Sequence, residues 1–293
     1  MPKFTYSGHF LWQPASWLRV TGPDALSFLQ GQLTNDLRNL MPGAAVYGLW
    51  LNHKGRVQGD AFVIRAAEET FFLGSYASPA AAIQAHLESF LIADDVVITD
   101  ETAAWAGVTW VTEAPADEVR AELPDGFLFR GRRGAMAHWE WVAPRAGLMD
   151  VIAGLDPAGA LSPAVMEARR VTAGIPAVPR DIGPGELPQE GGLERDAVSF
   201  TKGCYLGQEV MARLQAMGQV RRQLRPVHGS GAPPAVPATL FAGERAAAEV
   251  RSTVATAGGW QGLALVTLLH LPSDRRLALT AGGAPEVAVE ESA

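Results

Sequence analysis

The sequence predicts an α+β fold: antiparallel sheets with helices on one face, followed by a small β-barrel-like domain at the C-terminus. Three observations carry this. Segments with strand alternation and segments with helical spacing follow one another as strands, a helix, then more strands, which suits a layered antiparallel arrangement. Residues 175–198 are rich in Pro and Gly and show little periodicity. After Arg225 the texture becomes short apolar runs between turn signals.

In chain order, TGPDALSFLQGQLTNDL reads as the first helix. Pro23 suits a first turn, Asp24 offsets exposed amides, and Leu26, Leu29 and Leu33 recur at helical spacing. PGAAVYGLWLNHKGRVQGDAFVIR reads as two strands around a turn at Asn52 to Gly55, and TFFLGSY as a third strand. SPAAAIQAHLESFLIADD is a helix with Ser78 as N-cap and an apolar stripe through Ile83, Leu87, Phe90 and Leu91. VVIT, AAWAGVTWVT and HWEWVAP are strand candidates, and SPAVMEARRVTAGIP is a helix capped by Ser162 and stopped by Gly174 and Pro176. The stretch 175–198 is long for a structureless segment in a compact protein, and its delivery of the chain to Cys204 favours a functional role. Gly207 to Met217 forms another helix, the small β domain begins near residue 222, and the final EVAVEESA is expected to fray.

Composition narrows the function classes. At 293 residues, two or three domains are expected, and 48% hydrophobic with 19% charged residues supply ample core. The net charge of −7 with thinly spread Lys and Arg argues against a nucleic-acid partner. A single cysteine rules out an intramolecular disulfide and a Cys-built metal cage, and none of the six histidines has metal-ligand spacing, so no metal site is expected. No apolar run reaches membrane-spanning length and the N-terminus lacks a secretory signal pattern, so a cytoplasmic address without membrane association is expected by elimination.

Cys204 lies in SFTKGCYLGQEVMARL, two residues after Lys202 and just before a helix. The helix start and the lysine would favour its thiolate, and Gly203 and Gly207 permit turns that expose it. A buried, inert cysteine fits the same spacing equally well. Gln208 and Glu209 fall in the first helical turn, within reach of free amides or of a ligand.

The run Lys202-Gly203-Cys204-Tyr205-Leu206-Gly207-Gln208-Glu209 resembles the K-G-C-Y-x-G-Q-E signature of the folate-binding YgfZ family, relatives of the glycine-cleavage aminomethyltransferase. FLQGQLTNDL, LNHKGRVQGD, ARRVTAGIP and LPQEGGLE extend the likeness in the family's order. The resemblance implies a protein built around a central folate cavity, taking tetrahydrofolate or a derivative, with iron–sulfur client or assembly proteins as partners. It suggests residues 1–50 with 131–221 as a folate-cradling domain, 51–130 as a ferredoxin-like domain and 222–293 as the barrel-like domain. It also assigns roles. Glu140 would hold the pterin, Arg170 in RVTAG would contact the folate, and Asp60 would lie near its reactive nitrogens. Cys204 and Lys202 would be the reactive pair, with Tyr205, Gln208 and Glu209 contacting the cofactor.

Strand geometry leaves two of these roles open. Glu140 sits between Trp139 and Trp141, where simple alternation would turn it to solvent and a bound pterin would explain it turned inward. Asp60 shares a face with Phe62 and Ile64, as a ligand-facing carboxylate or as the end of a buried face would. Transfer of a one-carbon unit to tetrahydrofolate is the rival function. Against it, the transferases' Y-T-G-E-like run is replaced here by GRRGAMAHWEW, and Gly59 stands where their first aspartate would be. A non-catalytic folate-binding module is the third possibility.

Overall fold

The structure is a computed structural model that describes residues 4–291. Its first half runs β1 (Gly8–Trp12), β2 (Ser16–Thr21), α1 (Ala25–Gln32), β3 (Ala45–Leu51), β4 (Val57–Ala67), β5 (Thr70–Ser75), α2 (Ala80–Glu88), β6 (Val97–Asp100) and β7 (Trp105–Val111). Next come α3 (Ala116–Ala121), β8 (Phe127–Arg130), β9 (His138–Pro144), α4 (Arg145–Ala153) and α5 (Pro163–Thr172). α6 (Glu194–Ala197) and α7 (Gln208–Met217) precede β10 (Arg222–Gly229), β11 (Ala238–Ala242), β12 (Arg245–Thr256), β13 (Gly259–Thr267), β14 (Arg276–Leu277) and β15 (Val287–Val289).

Two antiparallel sheets form the body. The first has the order β3-β4-β5-β2-β6 and the second β1-β7-β9-β8. Strand parity sorts their side chains into three apolar layers. Val20, Ala61, Val63 and Leu73 meet Leu29 of α1 and Ile83 of α2 on the outer face of the first sheet. Trp110, Leu128 and Trp141 meet Val119 of α3 and Leu148 of α4 on the outer face of the second. Between the sheets, Trp17, Phe62, Ile64 and Phe72 meet Phe129 and Val142. Each sheet thus carries helices on one face only, as the pattern predicts. Because both faces of β9 are covered, Glu140 points into the middle layer rather than to solvent, and Asp60 points into the same layer from β4.

The β3–β4 turn is set locally. The Asn52 side chain accepts the Lys54 and Arg56 amides at 2.9 and 3.1 Å, and Gly55 takes φ +68°, where a side chain would be strained. This hairpin straddles residue 50, and β9 lies between β7 and β8. The sheets therefore do not follow a division of 1–50 with 131–221 against 51–130, because hydrogen-bonded pairs cross both cuts. Ser78 is not the N-cap of α2: Pro79 occupies that place and makes no side-chain cap bond, while the Ser78 hydroxyl turns to Asp60. Ser162 does cap α5, accepting the Val165 amide at 3.3 Å.

The last sheet, β11-β12-β13-β10-β15-β14, closes into a barrel-like form through reciprocal Phe241–Ala278 backbone bonds of 2.9 and 2.8 Å. The segment expected to fray contributes β15, which pairs with both β10 and β14 because the closing sheet needs a strand there. Residues 292 and 293 lie outside the described residues.

Candidate functional site

A cavity of about 460 Å3 opens where the middle layer meets α5 and the segment 175–180. Phe10 of β1, Tyr47 of β3, Asp60 of β4 and Tyr76 after β5 line it, with Arg132 and Arg133 from the β8–β9 connection. Cavities of this size suit a small organic ligand.

Asp60 is 6% exposed and its carboxylate is held by hydroxyls. Oδ1 accepts from Ser75 (2.6 Å) and Ser78 (2.5 Å), and Oδ2 accepts from Tyr47 (2.9 Å). A carboxylate has about four acceptor sites, so one remains open. Burial pushes the Asp60 pKa up, outweighing these donors and the nearby Arg132. Burial, with Asp60 beside it, raises Tyr47 well above the usual phenol value, and burial with Glu140 does the same for Tyr76. Both phenols therefore stay protonated as donors near neutral pH.

Glu140 is fully buried and is not a wall residue. Its Oε1 accepts from Tyr76 (2.8 Å) and Arg133 Nε (3.1 Å), and its Oε2 from Thr109 (2.7 Å). The carboxylate proposed to hold a pterin instead positions two groups that do face the cavity.

Arg170 lines the cavity, but all five of its N–H donors are engaged. Nε donates to Glu167, Nη1 to Ile175 O and Asp181, and Nη2 to Glu167 and Ser252. Asp181 is fully buried and also accepts from Ser252 (2.5 Å) and the Ala177 amide (2.8 Å). Arg170 thus clamps α5, the 175–181 segment and β12 of the barrel together, and is not free to contact a cofactor as expected.

The signature segment lies elsewhere. Lys202 is buried, and its ammonium donates to Gln30 O (2.6 Å), Leu33 O (2.7 Å) and Asn35 O (2.9 Å) at the end of α1. Burial pulls its pKa down to about 8. The three carbonyls act the other way, since only the ammonium has three donors. Its charge is therefore committed to capping α1 rather than to activating Cys204, a correction to the expected pair. The Ser199 and Leu206 amides also bond to α1 and its exit, at Thr34 O (3.0 Å) and Gly31 O (3.1 Å). Tyr205 packs inward with Leu49, Leu51 and Val57, its hydroxyl without a partner among the described residues, and burial raises it to about 12. With Tyr205 turned in, Cys204 is exposed. Gln208 and Glu209 begin α7. None of Cys204, Tyr205, Gln208 and Glu209 lines the cavity. The structure brings together Asp60, Glu140 and, across the cavity, Arg170, and it sets the signature segment apart.

Sequence reasoning missed Tyr47, Tyr76, Arg132 and Arg133. Arg132 stacks on Tyr47 (4.0 Å to the ring centroid) and pairs with Asp196. Arg133 stacks on Tyr76 (3.8 Å). The signal was present in GRRG, which stands where the transferases carry their Y-T-G-E-like run.

In fold, the molecule is of the aminomethyltransferase class. The glycine cleavage system aminomethyltransferase T from Bartonella henselae superposes over 98% of this chain and 86% of that one, with TM-score 0.80 and 21% identity. Residues 12–111 match the GCVT N-terminal domain model. Within that class, the chain belongs to the IBA57/YgfZ family. It is 33% identical to the mouse mitochondrial iron-sulfur cluster assembly factor IBA57, over 85% of this chain and 74% of the relative. It is 30% identical to tRNA-modifying protein YgfZ from Edwardsiella ictaluri, over 75% of this chain and 69% of the relative. With human IBA57 the identity is 34% over 72% of this chain, which spans only 63% of that relative's length. These IBA57 relatives are named as mitochondrial proteins, which overturns the cytoplasmic address drawn by elimination. Among the described residues no helix is long and apolar enough to cross a membrane, and no group of His, Cys, Asp and Glu is arranged to hold a metal ion.

Proposed function

We propose that the cavity binds tetrahydrofolate or a derivative, and that the chain serves in assembly or repair of iron–sulfur proteins. The observation that carries the ligand is the wall itself. Phe10, together with Tyr47 and Tyr76 and the guanidinium planes of Arg132 and Arg133 stacked on them, offers flat surface for a ring, and Asp60 keeps an acceptor site for a ring N–H. A reduced folate would bring one-carbon carrying capacity. This chain's part is to exclude water, hold the ring against the aromatic wall and accept a proton donor at Asp60.

The iron–sulfur role is supported by the names of the IBA57 relatives. In this reading Cys204 works outside the cavity: an exposed thiol, on a segment tied down by Lys202, is accessible to a client protein or a small thiol. The fold it shares with an aminomethyltransferase does not carry that activity across. Calorimetry with tetrahydrofolate and 5-formyltetrahydrofolate, on the wild type and on Asp60→Ala, tests the reading. Heat with the wild type and weaker binding by the variant are expected. No heat with either ligand refutes it.

A further inference from the structure

Glu140 and Arg133 stand in an order that changes what the cavity can recognise. The carboxylate is sealed behind the wall, and the guanidinium lies between it and the cavity. Arg133 is fixed from several sides: Nε on Glu140, and its carbon 3.8 Å from the Tyr76 ring centroid, 4.6 Å from Trp12 and 5.3 Å from Phe10. Its side chain is 16% exposed, and no acceptor among the described residues meets its two terminal amino groups. A guanidinium keeps its charge at any working pH and offers those donors as a rigid fork. Nearly enclosed by rings, the fork matches a flat ligand that presents two neighbouring acceptors along one edge.

We infer that Arg133 is the ligand-recognition residue of this cavity, and that it takes the acceptor edge of a pterin head: the 4-oxo oxygen together with an acceptor at N5. The inference rests on the folate reading above and narrows it. That edge has the layout of O6 beside N7 in guanine, which arginine forks read bidentately. The acceptor at N5 is the ring lone pair in dihydrofolate and the formyl oxygen in a 5-formyl derivative. Unsubstituted tetrahydrofolate places a hydrogen there and fits the fork less well. The ligand class is therefore folates with an acceptor at N5. The flexible glutamate tail has a different counterpart in Arg180, which lines the same cavity, is half-exposed and spends one terminal amino group on Glu167.

Calorimetry with 5-formyltetrahydrofolate, dihydrofolate, tetrahydrofolate and a dihydropterin lacking the tail tests this. The proteins are the wild type, Arg133→Lys and the double variant Arg133→Gln/Glu140→Gln. Arg133→Lys keeps a cation for Glu140 without the fork, and the double variant removes both charges of the pair, so a folding defect in one leaves the other to report. The wild type is expected to prefer the two N5-acceptor folates over tetrahydrofolate by about tenfold, and the variants to lose about tenfold or more on those two and on the tail-less head. Their affinity for tetrahydrofolate should change little. Retention of the wild-type preference by both variants overturns the inference, as does a loss confined to ligands with a tail. No binding of any folate by the wild type overturns the folate reading and this inference with it.

Discussion

Truncating Asp181 to alanine should loosen the attachment of the barrel to the rest of the molecule. The carboxylate is fully buried and accepts from Arg170 Nη1 at 2.6 Å, Ser252 Oγ at 2.5 Å and the Ala177 amide at 2.8 Å. Its removal leaves two buried donors and the part-buried Ala177 amide short of an acceptor, at about 1–3 kcal/mol for each buried one. Glu167 still faces the Arg170 guanidinium and water can enter the vacated space, so the sum is not reached. A loss of about 3–5 kcal/mol is expected, the range for breaking one side of a buried ion pair. Urea unfolding followed by tryptophan fluorescence measures it, with Arg170→Met and the double variant completing a cycle. The coupling between the two positions should exceed about 1 kcal/mol, because they share one network. A loss below about 1 kcal/mol for Asp181→Ala, or additive single variants, would refute the clamp.

Two other consequences concern Asp60 in the cavity and Lys202 in the signature segment. Asp60 has a raised pKa, so between the ordinary carboxylate value and the raised one the folded protein holds a proton that the unfolded chain has released. Its contribution to stability therefore falls as pH rises through that window. Relative to the wild type, Asp60→Asn should gain in melting temperature as pH rises from about 4 to 7, and a difference that stays flat or falls over that range would contradict this. Lys202→Met removes the donors of the three carbonyls at Gln30, Leu33 and Asn35, which should cost about 2–4 kcal/mol by urea unfolding and change the alkylation rate of Cys204. An unchanged midpoint and rate would show that the ammonium neither caps α1 nor holds the segment.

Much of the architecture was legible because it follows local periodicity. The stripe of Leu26, Leu29 and Leu33, the β3–β4 hairpin around Asn52 and Ser162 ahead of α5 are all determined within a few residues. β1 and β2 were not foreseen, nor were α3, β8 and α4. These are short segments whose conformation is fixed by neighbours distant in sequence, as β8 is by β9. The site divides in the same way. Asp60 was legible as a carboxylate on an apolar face, whereas GRRG marked Arg133 only as a departure from the transferases' run and not as a fork facing a cavity.

By itself, the sequence determined the layering, the barrel-like end, the family and the cluster of residues around Cys204, since spacing and motif are properties of contiguous chain. Only the tertiary structure decided which charges are available. Glu140, Arg170 and Lys202 all looked like ligand or catalytic groups, yet each is engaged by protein partners, Lys202 by carbonyls more than 160 residues away in sequence. A buried charge must find partners wherever the fold supplies them, and those partners are set by packing between elements rather than by neighbours along the chain.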